Sequence, residues 1–297
     1  MYVIRLKTII FFAVIFIASL ILGIVGFRFL SGTAPELVTT AADDSDSVEL
    51  PIIMYHGLTK NPALVNAYVI SVNDFESDLK YLKENGYTAV FMSDVISFVN
   101  GEGELPEKPV VLTFDDGFEN NYEYGLPLFE KYDMRGLISI VGSYTENYSS
   151  ISDENPEYAY LNYATINKMK DSGRFEFANH SYNMHMLPGM KGNNDGRKGA
   201  AKVSGESEES YKTKLTEDTE ITQRLLSENC GIIPEVYTYP YGEITKIAED
   251  VLRDMGFKAT LSCLDKKNYI SPGNPDSLYC LCRALRDNKR SVAEILK

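Results

Sequence analysis

The sequence predicts an α/β fold, a distorted (β/α) barrel, preceded by one N-terminal transmembrane helix. Three observations lead to this prediction. Short apolar runs alternate with helical patterns from residue 49 onward, which is typical of repeated βα units. Eight of these runs suit strands, and a barrel of this kind usually occupies about 250 residues. Residues 8–27 form an uncharged apolar run that is long enough to cross a bilayer as a helix.

The predicted strands are short and end in turn-forming or polar residues. They are residues 51–55, 88–91, 109–114, 136–141, 175–178, 236–239, 258–262 and 278–284. A helix is predicted over 73–85, where Phe75, Leu79 and Leu82 recur at helical spacing. Two polar insertions, 143–160 and 188–210, lack apolar periodicity and are too long for simple connectors. We expect them to cover or border a cleft.

The N-terminal segment predicts a single-pass protein of the cell membrane. Arg5 and Lys7 precede the apolar run, which places residues 1–7 in the cytoplasm and everything after residue 28 outside it. Residues 28–48 are small, polar and acidic, as in a linker. They connect the anchor to an extracytoplasmic domain over 49–297. A cleaved signal peptide is the alternative, although its apolar region is usually shorter.

Composition excludes one class of partner. The net charge is −13, whereas nucleic acids and anionic membrane surfaces require a basic patch. Membrane contact is therefore expected only through the anchor. Four cysteines, Cys230, Cys263, Cys280 and Cys282, lie in an inferred oxidising compartment, but their pairing cannot be deduced. We assign them no chemistry.

A buried strand ends abruptly in two carboxylates and a glycine. The run VVLTFDDG over 110–117 contains Asp115, Asp116 and Gly117. Adjacent aspartates repel each other, and a bound dication would offset the repulsion. Catalytic residues of barrels usually follow the carboxyl ends of strands. A simple Asx-turn that closes the strand is the alternative.

All three histidines also follow predicted strands. His180 and His185 come after 175–178, and His56 comes after 51–55. Histidines five residues apart lie about 140° apart on a helix, so they can converge only from a loop. Two imidazoles and one carboxylate form a common catalytic zinc set. Asp116, His180 and His185 are the candidate ligands.

A fourth strand end carries TYPYG over 238–242. Pro240 has no N–H to donate, but the backbone N–H of Tyr241 could stabilise a developing oxyanion. An ordinary aromatic turn is the alternative.

With these motifs in view, residues 49–284 resemble the NodB-type polysaccharide deacetylases, the fourth carbohydrate esterase family. TFDDG over 113–117 is similar to the first motif, which implies that Asp115 is the general base and that Asp116 binds the metal. HSYNMH over 180–185 resembles the second motif, whose histidines complete the metal site, and TYPYG resembles the third. The implied cofactor is a divalent metal, zinc before cobalt or nickel. The implied substrate is an N-acetylglucosamine polysaccharide of an exopolysaccharide or the cell wall, which loses acetyl groups as acetate.

Departures from the family pattern point to one branch. The five-residue spacing of the histidines and the opening PIIMYHGL resemble the enzymes that act on poly-β-1,6-N-acetylglucosamine. No histidine follows His185, so His56 is the candidate general acid. The third motif lacks its usual arginine, and Arg283 is the candidate that braces Asp115 instead. Without tryptophan the chain cannot have the family's fourth motif, which leaves the identity of the polymer open.

Two other classes of function are the alternatives. A catalytically inactive, membrane-tethered carbohydrate-binding protein would suit the altered third and fourth motifs, but such a protein would be expected to lose its metal ligands first. A phosphoryl-transfer enzyme would require a glycine-rich phosphate loop at a helix start, and the sequence contains none.

Overall fold

The computed structural model describes residues 47–297 except residue 152, and the predicted anchor at 8–27 lies outside them. No helix within the described residues is both long enough and apolar enough to cross a membrane. The strands of this region are β1 Val48–Glu49, β2 Ile52–Tyr55, β3 Gly57–Thr59, β4 Val69–Ser71, β5 Thr88–Ala89, β6 Pro109–Phe114, β7 Gly136–Ile140, β8 Phe175–Asn179, β9 Val236–Thr238, β10 Ala259–Leu261, β11 Tyr269–Ile270 and β12 Ala284–Leu285. Its α-helices are α1 Val72–Glu84, α2 Met92–Val99, α3 Leu126–Tyr132, α4 Gly142–Ile151, α5 Tyr163–Asp171, α6 Glu208–Cys230, α7 Lys246–Asp254 and α8 Val292–Ile295.

The central sheet is parallel and barrel-like, in the order β10-β9-β8-β7-β6-β2-β12. The short strand β5 pairs only with the first two residues of β6. An isolated parallel bridge between Leu261 and Leu281 connects β10 with the segment just before β12. This segment therefore links the two ends of the strand order, and the carboxyl ends of all these strands lie at one edge.

Both faces of the sheet are covered by apolar side chains, which explains why the strands read as continuous apolar runs. Every residue of β6 is buried. Leu112 and Phe114 pack into one cluster beside Phe75 of α1 and Phe129 of α3. Val111 points to the opposite face, into a second cluster with residues of α2. The alternation of neighbouring side chains continues past the end of β6 and decides which way Asp115 faces.

Helix α1 shows how local sequence sets an element. The hydroxyl of Ser71 caps its first turn by accepting a hydrogen bond from the N–H of Asp74, at 3.0 Å. Phe75, Leu79 and Leu82 form its buried face. The predicted helix over 73–85 is thus confirmed within one residue at each end.

One prediction about secondary structure was wrong. Residues 278–284 do not form a strand: a 3₁₀ turn ends at Leu278, and the strand β12 begins only at Ala284. Cys280 between them has φ +60°, a left-handed conformation that an extended strand cannot contain. In the insertion 143–160, α4 occupies the first half. Only two residues of α4 are buried, so its sequence carries little apolar periodicity.

Candidate active site

Four parallel strands bring the predicted site residues to one edge of the sheet. His56 follows β2, the two aspartates follow β6, His180 follows β8, and Tyr241 lies in the turn after β9. The register pairs the last residue of β2 with the last residue of β6, and the last residue of β8 with the middle residue of β9. The loops that leave these strands therefore begin side by side.

Asp116, His180 and His185 form a compact group, with one potential ligand atom from each lying within 4.8 Å of the others. The Oδ1 atom of Asp116 lies 3.1 Å from Nε2 of His185 and 3.6 Å from Nε2 of His180. The turn requires left-handed backbone at both Asp116 and Gly117, each with φ +72°. Aspartate and glycine tolerate that conformation better than most residues do.

The orientation of both histidines suits metal binding. The Nδ1 atom of His180 lies 2.7 Å from the carbonyl oxygen of Thr238, to which it can donate, so Nε2 is left to face Asp116. The Nδ1 atom of His185 lies 3.4 Å from the hydroxyl of Tyr241. The buried Oδ1 of Asp116 accepts no hydrogen bond within the described part of the chain, although buried carboxylate oxygens normally have partners. Two imidazoles and this oxygen fit a divalent cation.

Asp115 lies beside this group in the chain, and Arg283 holds its side chain. The guanidinium donates from Nη1 to Oδ1 at 2.7 Å and from Nη2 to Oδ2 at 2.8 Å, and both side chains are buried. Nε of Arg283 also donates to the carbonyl oxygen of Ser262 at 2.7 Å. Burial opposes the charge on Asp115, but the charge and hydrogen bonds of Arg283 outweigh it and lower the pKa of this carboxyl to about 2. Asp115 is therefore a fixed carboxylate at any physiological pH.

His56 lies where both carboxylates act on its charge. Burial lowers the pKa of His56, although Asp115 and Asp116 act in the opposite direction. Its carbonyl oxygen accepts a hydrogen bond from the side chain of Asn121 at 2.9 Å, and its ring packs edge-on against Tyr68 at 4.9 Å between centroids. Nδ1 is buried without a partner among the described residues. The role of His56 as the general acid stays a prediction.

Tyr241 packs against the candidate metal-binding group. Its ring lies 4.6 Å from that of His185 between centroids, and its backbone is left-handed, with φ +57°. The role of its N–H as an oxyanion donor stays a prediction.

A family model for polysaccharide deacetylases matches residues 102–260, just over half of the chain. The chain belongs to the polysaccharide deacetylase family. The resemblance inferred from the motifs is thereby confirmed, and the relatives carry the name of the expected branch. The poly-β-1,6-N-acetyl-D-glucosamine N-deacetylase of Escherichia coli (strain K12) is 25% identical over 221 residues, which cover 69% of this chain and 32% of that protein. Its namesake from Staphylococcus aureus (strain MRSA252) is 22% identical over 214 residues, 71% of this chain and 66% of the relative.

This polysaccharide deacetylase chain thus spans about a third of the first curated relative and about two thirds of the second. Among solved structures, a de-N-acetylase from Aggregatibacter actinomycetemcomitans superposes with a TM-score of 0.71 at 26% identity, over 84% of this chain and 99% of that one. The parallel, barrel-like sheet of this chain is therefore consistent with the fold that the resemblance implies.

The deacetylase site also contains residues that sequence reasoning missed. Asp218 of α6 accepts hydrogen bonds from the loop between the two histidines. It carries no sequence signal, because it is one of several acidic residues in a long helix. Tyr144, whose ring centroid lies 6.1 Å from that of His185, comes from the insertion 143–160. Gly199 of the insertion 188–210 lies against the carbonyl of Pro240. Both insertions therefore border the site.

Proposed function

We propose that this chain is a metal-dependent N-deacetylase that removes acetyl groups from a poly-β-1,6-N-acetylglucosamine-type polysaccharide and releases acetate. The main support for the proposal is that two adjacent aspartates contact different partners. Asp116 faces His180 and His185, whereas Asp115 is held in a bidentate pair by Arg283. Metal-assisted hydrolysis of an amide uses a cation site together with a separate base. The names of the relatives support the substrate class.

Asp116, His180 and His185 would hold the ion, with zinc the expected metal and cobalt or nickel alternatives. When bound, such an ion supplies Lewis acidity and lowers the pKa of water. Asp115 takes the proton of the attacking water, and Arg283 keeps its carboxylate oriented.

In the reaction, a C–O bond forms at the carbonyl carbon of the acetamide, and its C–N bond breaks. The backbone N–H of Tyr241 donates to the oxyanion, and His56 protonates the leaving amine. His56 must gain that proton first, because burial lowers its pKa. The products are acetate and a glucosamine residue of the polymer.

The decisive experiment measures acetate release by the full chain in detergent. The substrates are oligomers of β-1,6-N-acetylglucosamine, peptidoglycan and chitin-type oligomers, each with zinc or with a chelator. We expect release from the first substrate, loss with chelator, and no release by Asp116→Ala, which should also lose zinc. An active, zinc-free Asp116→Ala protein would refute the scheme. Binding of oligomers without any acetate release would instead favour an inactive carbohydrate-binding protein.

We also propose that residues 8–27 anchor the enzyme in the cell membrane with its catalytic domain outside the cytoplasm. The support is the uncharged apolar run after Arg5 and Lys7. Protease added to intact cells should remove the domain while leaving cytoplasmic markers intact. Recovery of the protein in the cytoplasmic fraction would contradict this proposal.

A further inference from the structure

The loop between His180 and His185 presents two consecutive backbone N–H groups to one carboxylate. The N–H of Tyr182 donates to Oδ1 of Asp218 at 2.8 Å, and the N–H of Asn183 donates to Oδ2 at 2.8 Å. These donors lie midway between the two histidines. Each oxygen of Asp218 therefore fixes one residue of the segment that sets the separation of the histidines.

The opposite side of the same loop is held by α4. The carbonyl oxygens of Ser181 and Tyr182 accept hydrogen bonds from the N–H groups of Gly142 and Ser143, each at 3.0 Å. A Cβ at Gly142 would lie only 2.4 Å from the Thr222 hydroxyl, so the start of α4 lies tightly against α6. The loop is thus held between two helices: α4 donates to its backbone, and Glu146 of α4 accepts a hydrogen bond from the hydroxyl of Tyr182 at 2.6 Å.

Burial of the Asp218 carboxylate costs free energy that packing alone would not require. Burial raises the pKa of Asp218 to about 6, against the lowering effect of the two N–H groups. Its carboxylate is still charged at neutral pH, so both oxygens can accept. A neutral side chain could fill the space without this electrostatic penalty, but it could not satisfy two adjacent donors equally.

We propose that Asp218 is the positioning residue that sets the separation of His180 and His185 in the metal site. The inference rests on the proposed function only in that this site binds a metal. The loop has left-handed backbone at Ser181, with φ +69°, and it is irregular, so its shape depends on its contacts with α4 and with Asp218 of α6. Without Asp218 the two N–H groups would turn to solvent, and the histidines would no longer converge on Asp116.

The test compares Asp218→Asn with a matched control, Glu217→Gln, in the full chain. Asparagine keeps the size of the side chain but offers one acceptor oxygen, and its NH₂ faces a backbone donor. Glu217 is the exposed neighbour on the same helix, and its substitution removes the same charge. We expect Asp218→Asn to weaken zinc binding about 10- to 100-fold, as loss of a group that orients a ligand does. Its Co²⁺ visible spectrum should change, whereas the control should match the wild type.

A second measurement does not depend on substrate or metal. In the metal-free wild type, hydrogen exchange at the amides of Tyr182 and Asn183 should be slow, and Asp218→Asn should accelerate it at both amides. Unchanged zinc affinity and unchanged exchange in a folded Asp218→Asn protein would overturn the proposal. If that variant fails to fold, fast exchange of both amides in the wild type would overturn it, and slow exchange would support it. Failure of the proposed deacetylation would appear separately, as a wild type that binds zinc but releases no acetate.

Discussion

Removing Arg283 should destabilise the protein through the charge that it leaves behind. In Arg283→Met the carboxylate of Asp115, which is only 2% exposed, loses both of its charge-assisted hydrogen bonds. Breaking a buried pair from one side costs about 3–5 kcal/mol. Two hydrogen bonds to charged groups, at about 1.5–3 kcal/mol each, give a similar figure. Asp115→Asn should also destabilise, because it leaves the guanidinium of Arg283 unpaired.

The double variant should then cost less than the sum of the two single variants, because neither charge remains unpaired. We expect a coupling free energy of about 2 kcal/mol, within the range for residues in direct contact. Urea unfolding of all four proteins in the presence of chelator measures it without a contribution from bound metal. Arg283→Lys is the matched control, since it keeps the charge but not the two-point contact. Effects that add within about 0.5 kcal/mol would refute the reasoning.

Three further variants test other parts of the molecule. Burial raises the pKa of Glu119 to about 8, so its contribution to stability is present below pH 4.5 and is lost as pH rises toward 8. Glu119→Gln should therefore lose less stability than the wild type between pH 5 and 8 in urea unfolding, and equal losses would contradict this. Tyr241→Phe keeps the backbone N–H, so kcat should fall far less than the roughly 100- to 1,000-fold typical of a lost oxyanion donor; a loss of that size would assign the role to the hydroxyl. Gly199→Ala would place a Cβ 2.3 Å from the Pro240 oxygen, whereas Gly196→Ala, also at positive φ, meets nothing within 4 Å. Thermal unfolding should show a larger loss for Gly199→Ala, and equal losses would mean that backbone strain alone is responsible.

Much of the fold could be predicted because its parallel strands are buried on both faces. The apolar run of β6 has the same bounds in sequence and structure, 109–114. The strand predicted over 278–284 was wrong. The apolar composition of this segment suits a strand, but Cys280 has a left-handed backbone and Leu281 makes only an isolated bridge. Backbone conformation at one residue leaves no mark on hydrophobic periodicity.

The site was predictable where its chemistry requires particular residue types at strand ends. Asp116, His180 and His185 could be identified in this way, and Arg283 followed from the absence of the usual arginine. Asp218 could not, because its role depends on where a helix passes a loop. The partners of Asp218 are backbone N–H groups, which every residue except proline has, so they leave no signature in the sequence.

The pair of Asp115 and Arg283 joins positions 168 residues apart in the chain. The segment that carries Arg283 bridges β10 through Leu281 and pairs with β2 through β12. Contacts of such long range form late in folding, because closing the intervening chain costs entropy before any contact is gained. Under the proposed mechanism, hydrolysis would therefore depend on completion of the sheet. A partly folded chain that had brought Asp116, His180 and His185 together would still lack the contact of Arg283 that orients Asp115.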